Sequence, residues 1–282
     1  MTKINNSNVS FSSVEEKNKK NGKATAAALA AGVGVTTAAT FASRGLVAVI
    51  PNALNATLDE NNLIKSKLDE VLTKTGLDSK GVKIKYIPEN LQILDFRDEF
   101  SKKIMPSPLE QVRQGKNAFF NPKTGEILLP ESKMAGAGFH EIGHAMNKHF
   151  SKYGKILQKC RPLMVLVAVP NLIGVFSKNK KAEDGKELST GAKITNFIRN
   201  NAGKLSLACM APTLIEEAMA SAKGQKLAKG LLSPEMFKKV AKGNKIGFLT
   251  YAVQAAGVAL ASWTAVKVKD RLVAKKELKN NV

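Results

Sequence analysis

Histidine occurs only three times in this chain of 282 residues, and all three fall in Gly138-Phe139-His140-Glu141-Ile142-Gly143-His144-Ala145-Met146-Asn147-Lys148-His149. His140-Glu141-x-x-His144 is the zinc-binding HExxH pattern. Helical residues i and i+4 are offset by about 40° around the axis, so both imidazoles can place a nitrogen on one ion. Glu141, offset by about 100°, stands beside such an ion, where a carboxylate can take a proton from water as a general base. His149 lies about 900° on from His140, half a turn from the metal-facing side, and is expected to be structural. The metzincin pattern is excluded, because it needs a glycine-broken helix and a third histidine ten residues after the first. The third ligand is therefore expected to be a downstream carboxylate, as in His₂Glu sites. Glu183, Asp184 and Glu187 lie in a polar linker, Glu235 follows Ser233-Pro234, and Asp270 and Glu277 sit in a basic tail. Glu216 and Glu217 remain, within the apolar helical run Pro212 to Ala222. An ion would pair with one of them, and the other, about 100° round the helix, is expected to be an ordinary solvated carboxylate.

The elements that must position these residues can be read from periodicity. Leu63, Ile64, Leu68, Val71 and Leu72 recur at helical spacing over Asp59 to Thr75, and Gly76 stands where a helix would stop. Val82, Ile84 and Tyr86 alternate with lysines from Gly81 to Ile87, as in a half-buried strand ended by Pro88. A second helix is expected over Asn90 to Ile104. Asn117-Ala118-Phe119-Phe120, the turn-forming Asn121-Pro122-Lys123-Thr124-Gly125 and Glu126-Ile127-Leu128-Leu129 together predict a β-hairpin. At least one of Phe119 and Phe120 is expected in the core. The fold class is α+β, mostly helical, with a small antiparallel sheet.

A formal charge of +21 accompanies 44% apolar residues, a balance that excludes disorder throughout and raises the question of nucleic acid. Position answers it. Residues 141–282 hold 25 Lys and Arg against 9 Asp and Glu. These cations bracket apolar runs at 162–176, 205–215 and 246–266, as expected beside anionic lipid, and no basic run is interleaved with aromatics. Nucleic acid is not expected as a partner, whereas membrane lipid is. Residues 1–23 are polar and aperiodic and read as a disordered tail; 24–58 is an apolar, small-residue segment suited to a membrane anchor. The catalytic domain is expected over 59–232 with an apolar insertion at 156–215. A basic-flanked apolar helix at 246–266 then follows within 233–282. Cys160 and Cys209 match no disulfide framework or metal pattern and read as reduced thiols. With the Lys-rich linker they favour a membrane location with the site facing the cytoplasm.

Three separated pieces resemble the HtpX-like and CAAX-prenyl-protease-like membrane metallopeptidases, which are gluzincins. Asn117-Ala118-Phe119 followed by Gly125-Glu126-Ile127 is similar to that family's edge strand and hairpin. His140-Glu141-Ile142-Gly143-His144, with His149 five residues on, is similar to its HEIGHxxxxH helix, and Glu217-Ala218-Met219-Ala220 to its ExxAD helix. The resemblance covers about residues 80–229. It implies a gluzincin-type domain with one Zn²⁺ per chain held by His140, His144 and Glu217, and Glu141 as general base in peptide-bond hydrolysis. It also implies membrane helices between the two ligand-bearing helices. Residues 117–120 would take an extended protein or peptide substrate as an added strand. Ser221 stands where the family has an Asp that accepts a hydrogen bond from a ligating histidine, which leaves open a catalytically impaired membrane protein that keeps the HExxH helix. The sequence does not reveal the group that stabilises the oxyanion.

Overall fold

The computed structural model describes residues 11–93, 98, 107–182 and 187–280, with side chains from residue 22 onward except 276, 277, 279 and 280. The chain is mostly helical. It divides into two compact units, one of Met1–Ala39, Val165–Cys209 and Ala255–Val282, the other of Thr40–Met164 and Met210–Gln254.

The second unit holds the sheet and the HExxH helix. Helix α1 (Phe11–Ala53) enters it at its C-terminal end. Helix α2 (Leu58–Thr75) begins at Thr57, whose hydroxyl accepts from Glu60 N while Glu60 Oε2 accepts from Thr57 N at 2.8 Å; Gly76 closes it in the left-handed conformation. Such a capping box stabilises a helix start by about 1 kcal/mol. Its apolar stripe, Ile64, Leu68, Val71 and Leu72, is buried. Strand β1 (Lys83–Ile87) runs parallel to β3 (Glu126–Pro130), pairing Ile84 with Ile127, and β2 (Phe119–Asn121) runs antiparallel to β3, pairing Phe120 with Ile127. The order is β1-β3-β2.

The hairpin therefore forms as expected, but the sheet is mixed, not antiparallel. A parallel neighbour needs a crossover of a dozen or more residues, and the stretch between β1 and β2, which includes helix α3 (Pro108–Arg113), supplies it. The helix expected at 90–104 falls mostly on residues outside those described; 90–93 carry none.

Helix α4 (Gly138–Phe150) carries the HExxH residues, with Phe139, Ile142 and Ala145 buried in the core beside Leu68, Ile127, Leu129 and Phe120. No side chain caps its first turn, but Asn61, itself buried, accepts a hydrogen bond from Ala135 N just upstream. After α5 (Lys152–Cys160) a 3₁₀ segment, Arg161–Val167, leads to α6 (Ala168–Phe176). Then come α7 (Thr190–Asn200), α8 (Ala202–Leu231) and α9 (Pro234–Asn280).

The first unit is built from helices that meet at small residues. Ala28, Val175 and Ala265 form its buried cluster. A Cβ on Gly203 would lie 2.8 Å from Ala259 O, so α8 and α9 touch backbone to backbone there. Ser262 Oγ donates to Asn171 Oδ1 at 2.6 Å and lies 2.8 Å from Ser206 Oγ. Small residues with polar bonds between helices are the packing mode of bundles in lipid, where apolar burial gives no driving force.

Among the described residues, three helical stretches are long and apolar enough to cross a membrane, within Gly22–Ala53, Lys152–Phe176 and Pro234–Lys275. Val165, Leu172, Phe176, Leu260 and Trp263 on them are exposed. Residues 11–23, expected to be unstructured, already belong to α1. No Pro separates them from the Ala-rich run, and their Lys and Glu are good helix formers.

Candidate metal centre

The site is formed where α4 crosses the second half of α8, within the second unit. Glycines set that crossing. A Cβ on Gly143 would stand 2.1 Å from Ala220 O, and one on Gly224 would stand 2.4 Å from Phe139 O. No side chain fits between the two backbones at either point. Residues within a turn of these contacts, His140 and His144 on α4 and Glu217 and Ser221 on α8, are thereby brought face to face.

His140 Nε2 and His144 Nε2 are 3.0 Å apart, and Glu217 Oε2 lies 3.2 Å from the first and 3.5 Å from the second. These three residues could hold a metal ion. The test is geometric: donors at three corners of a tetrahedron with bonds of about 2.0–2.1 Å are about 3.3–3.4 Å apart. The observed triangle is close to that size. The other ring nitrogens are also occupied, His140 Nδ1 by Ser221 Oγ at 3.1 Å and His144 Nδ1 by Glu216 Oε1 at 2.9 Å. Partners at Nδ1 fix the ring orientation and turn the Nε2 lone pairs towards the shared point. The residues fit an ion taken by nitrogen and oxygen donors.

Glu216 departs from expectation. It is as buried as Glu217, not solvated. Its Oε1 accepts from Asn147 Nδ2 at 2.9 Å and Gln158 Nε2 at 2.8 Å as well as meeting His144, and its Oε2 accepts from Arg161 Nη1 at 3.1 Å. The divergence of adjacent helical residues does not force one outwards here, because both side chains reach the histidines of α4 and both accept from Arg161 at the end of α5. Arg161 Nη2 also donates to Glu217 Oε1 at 2.7 Å. Lys223 Nζ donates to Asn147 Oδ1 at 2.6 Å, which anchors the amide that serves Glu216.

The electrostatics follow from these contacts. Burial pushes the pKa of His144 down, but hydrogen bonds to Glu216 and Glu217 prevail and hold it up at about 10. Burial would raise the carboxyl of Glu217, yet its bonds to His140 and His144 keep it far below the ordinary carboxylate range. Glu216 is lowered likewise, burial being outweighed by His144, Asn147 and Gln158. Both carboxyls are thus held below their ordinary range, and an ion bound here would have to displace the proton that His144 favours.

Glu141 is buried, and its charge acts on His144. The phenol of Tyr251, on α9, reaches Glu217 and lies near the charges of Glu141 and Arg161. His149 is placed away from the triangle. Burial and the nearby Lys148, Lys80 and Lys155 lower its pKa, and its Nε2 has no partner among the described residues. Asn117 precedes β2 and its Oδ1 accepts from Ala118 N at 2.9 Å; Ala118 is buried, Phe119 half-buried and paired with Leu128, and Phe120 is in the core. β2 lies at one edge of the sheet and packs against α4.

Asn147, Gln158, Arg161, Lys223 and Tyr251 were not singled out by sequence reasoning. Asn147 left a signal, since seven residues from His140 returns to the same helix face. Arg161 read as one more cation flanking an apolar run. No family model, curated protein or solved structure matches the chain.

Proposed function

We propose that the protein is a zinc-dependent metalloendopeptidase acting on protein substrates at or near a membrane, with its site on the cytoplasmic side. The observation that carries this reading is the triangle of His140 Nε2, His144 Nε2 and Glu217 Oε2 with the buried Glu141 beside it. His140, His144 and Glu217 would hold a Zn²⁺, which when bound would supply Lewis acidity for the activation of water near neutral pH. Glu141 takes the proton of the attacking water and delivers it to the leaving amine. Ser221 and Glu216 keep the two imidazoles aimed during the reaction. An extended substrate adds to the outer edge of β2, with Asn117, Ala118 and Phe119 at its start, through main-chain hydrogen bonds that tolerate many sequences. The three apolar helices and free Cys160 and Cys209 support a membrane location facing a reducing compartment. The rival reading, an inert HExxH helix in a membrane protein, drew on Ser221 in place of an Asp; the contact of Ser221 with His140 weakens that support.

The test is a metal assay with a paired variant. Detergent-purified wild type should carry stoichiometric zinc and cleave casein. Glu141→Gln should keep the zinc and lose about 10²–10⁴-fold in turnover, the usual contribution of a general base. Wild type without bound zinc, or a Gln variant that cleaves at the wild-type rate, overturns the reading.

A further inference from the structure

We propose that Arg161 is the positioning residue of the metal centre, a guanidinium clamp that sets the orientation of both glutamates and through them the affinity for the ion. The proposal rests on the metal-binding reading above. Arg161 gives one N–H to Glu216 Oε2 at 3.1 Å and another to Glu217 Oε1 at 2.7 Å. Each glutamate uses its other oxygen for the histidines: Glu216 Oε1 meets His144 Nδ1, and Glu217 Oε2 meets His140 Nε2. One rigid fork therefore fixes the far oxygen of both carboxylates, and the near oxygens are left at the positions where they orient a ligand or act as one.

The two carboxylates are adjacent in sequence and almost fully buried, an arrangement that is costly without a compensating cation. Glu216 has neutral donors in Asn147 and Gln158 besides. Glu217 Oε1 has the guanidinium as its one charged donor among the described residues. Lysine at this place would keep the charge but, as a point cation, could not hold two carboxylates in a planar fork. Arg161 also ends α5 and opens the 3₁₀ segment Arg161–Val167, so a side chain from the head of an apolar segment aims the ligand on α8.

The experiment uses the full chain in detergent, with Arg161→Lys and Arg161→Met. Zinc affinity is measured by chelator competition, the visible spectrum of the cobalt-loaded protein reports coordination, and circular dichroism with thermal unfolding reports the fold. Both variants should bind zinc about 10–100-fold more weakly, as loss of a partner outside the ligand set typically does, and should alter the cobalt spectrum. The Met change should couple with Glu216→Gln: the affinity loss of the double variant should be smaller than the product of the single losses. Folded variants with wild-type zinc affinity and cobalt spectrum overturn the proposal and leave the metal centre standing. If the Met variant does not fold, the Lys variant decides alone. Wild type that binds no metal defeats both readings.

Discussion

At the scale of residues, each of the three candidate ligands has a second partner holding its other side. Ser221 does for His140 what Glu216 does for His144, but without charge. Ser221→Ala is expected to weaken metal binding about 10-fold or more, whereas Ser221→Asp should at least preserve it; chelator competition on folded protein checks both. His144 gives a pH prediction. Its pKa is raised from the usual 6.5 to about 10, so the stabilisation it lends the metal-free fold is fully present below about pH 6.5 and lost as pH rises through 10. Metal binding runs the opposite way, because it must release that proton. Apparent affinity should climb about tenfold per pH unit from neutrality towards pH 9, read by titration in buffers of increasing pH. A flat profile would mean that His144 is already neutral.

At the scale of elements, two glycines decide whether a site exists. Gly143→Ala forces a methyl group against the carbonyl of Ala220, backbone to backbone, where no rotamer can relieve it. It should cost about 1–3 kcal/mol or more in denaturant unfolding and abolish metal binding, since α4 and α8 can no longer touch. The motif helix, α2 and the hairpin were legible from spacing alone. The mixed sheet was not, because strand direction depends on how the crossover between β1 and β2 runs, and periodicity says nothing of that. Nor was the burial of Glu216, since helical geometry gives the angle between neighbours but not how many sides of the helix are covered. Arg161 was hidden for a related reason: a cation at the edge of an apolar run looks the same whether it meets lipid headgroups or a buried carboxylate pair.

At the scale of the whole molecule, the surplus of positive charge and the apolar content are both consistent with the three helical stretches among the described residues that are fit to cross a membrane. The protein should stay with the membrane fraction in high salt and at alkaline pH and require detergent for release; extraction by salt alone would mean that the apolar faces are covered by protein and that charge is the only anchor.

The ligands His144 and Glu217 lie on either side of the chain stretch that contains the candidate span within Lys152–Phe176. An ion bound by both closes that stretch into a loop, like a clasp fastened after a thread has been passed. During synthesis the third ligand emerges only once the whole apolar stretch has been made, and a nascent chain ending before Glu217 offers two imidazoles and no more. Binding of an ion by all three residues would then be a late step in assembly, after the enclosed apolar stretch has been made.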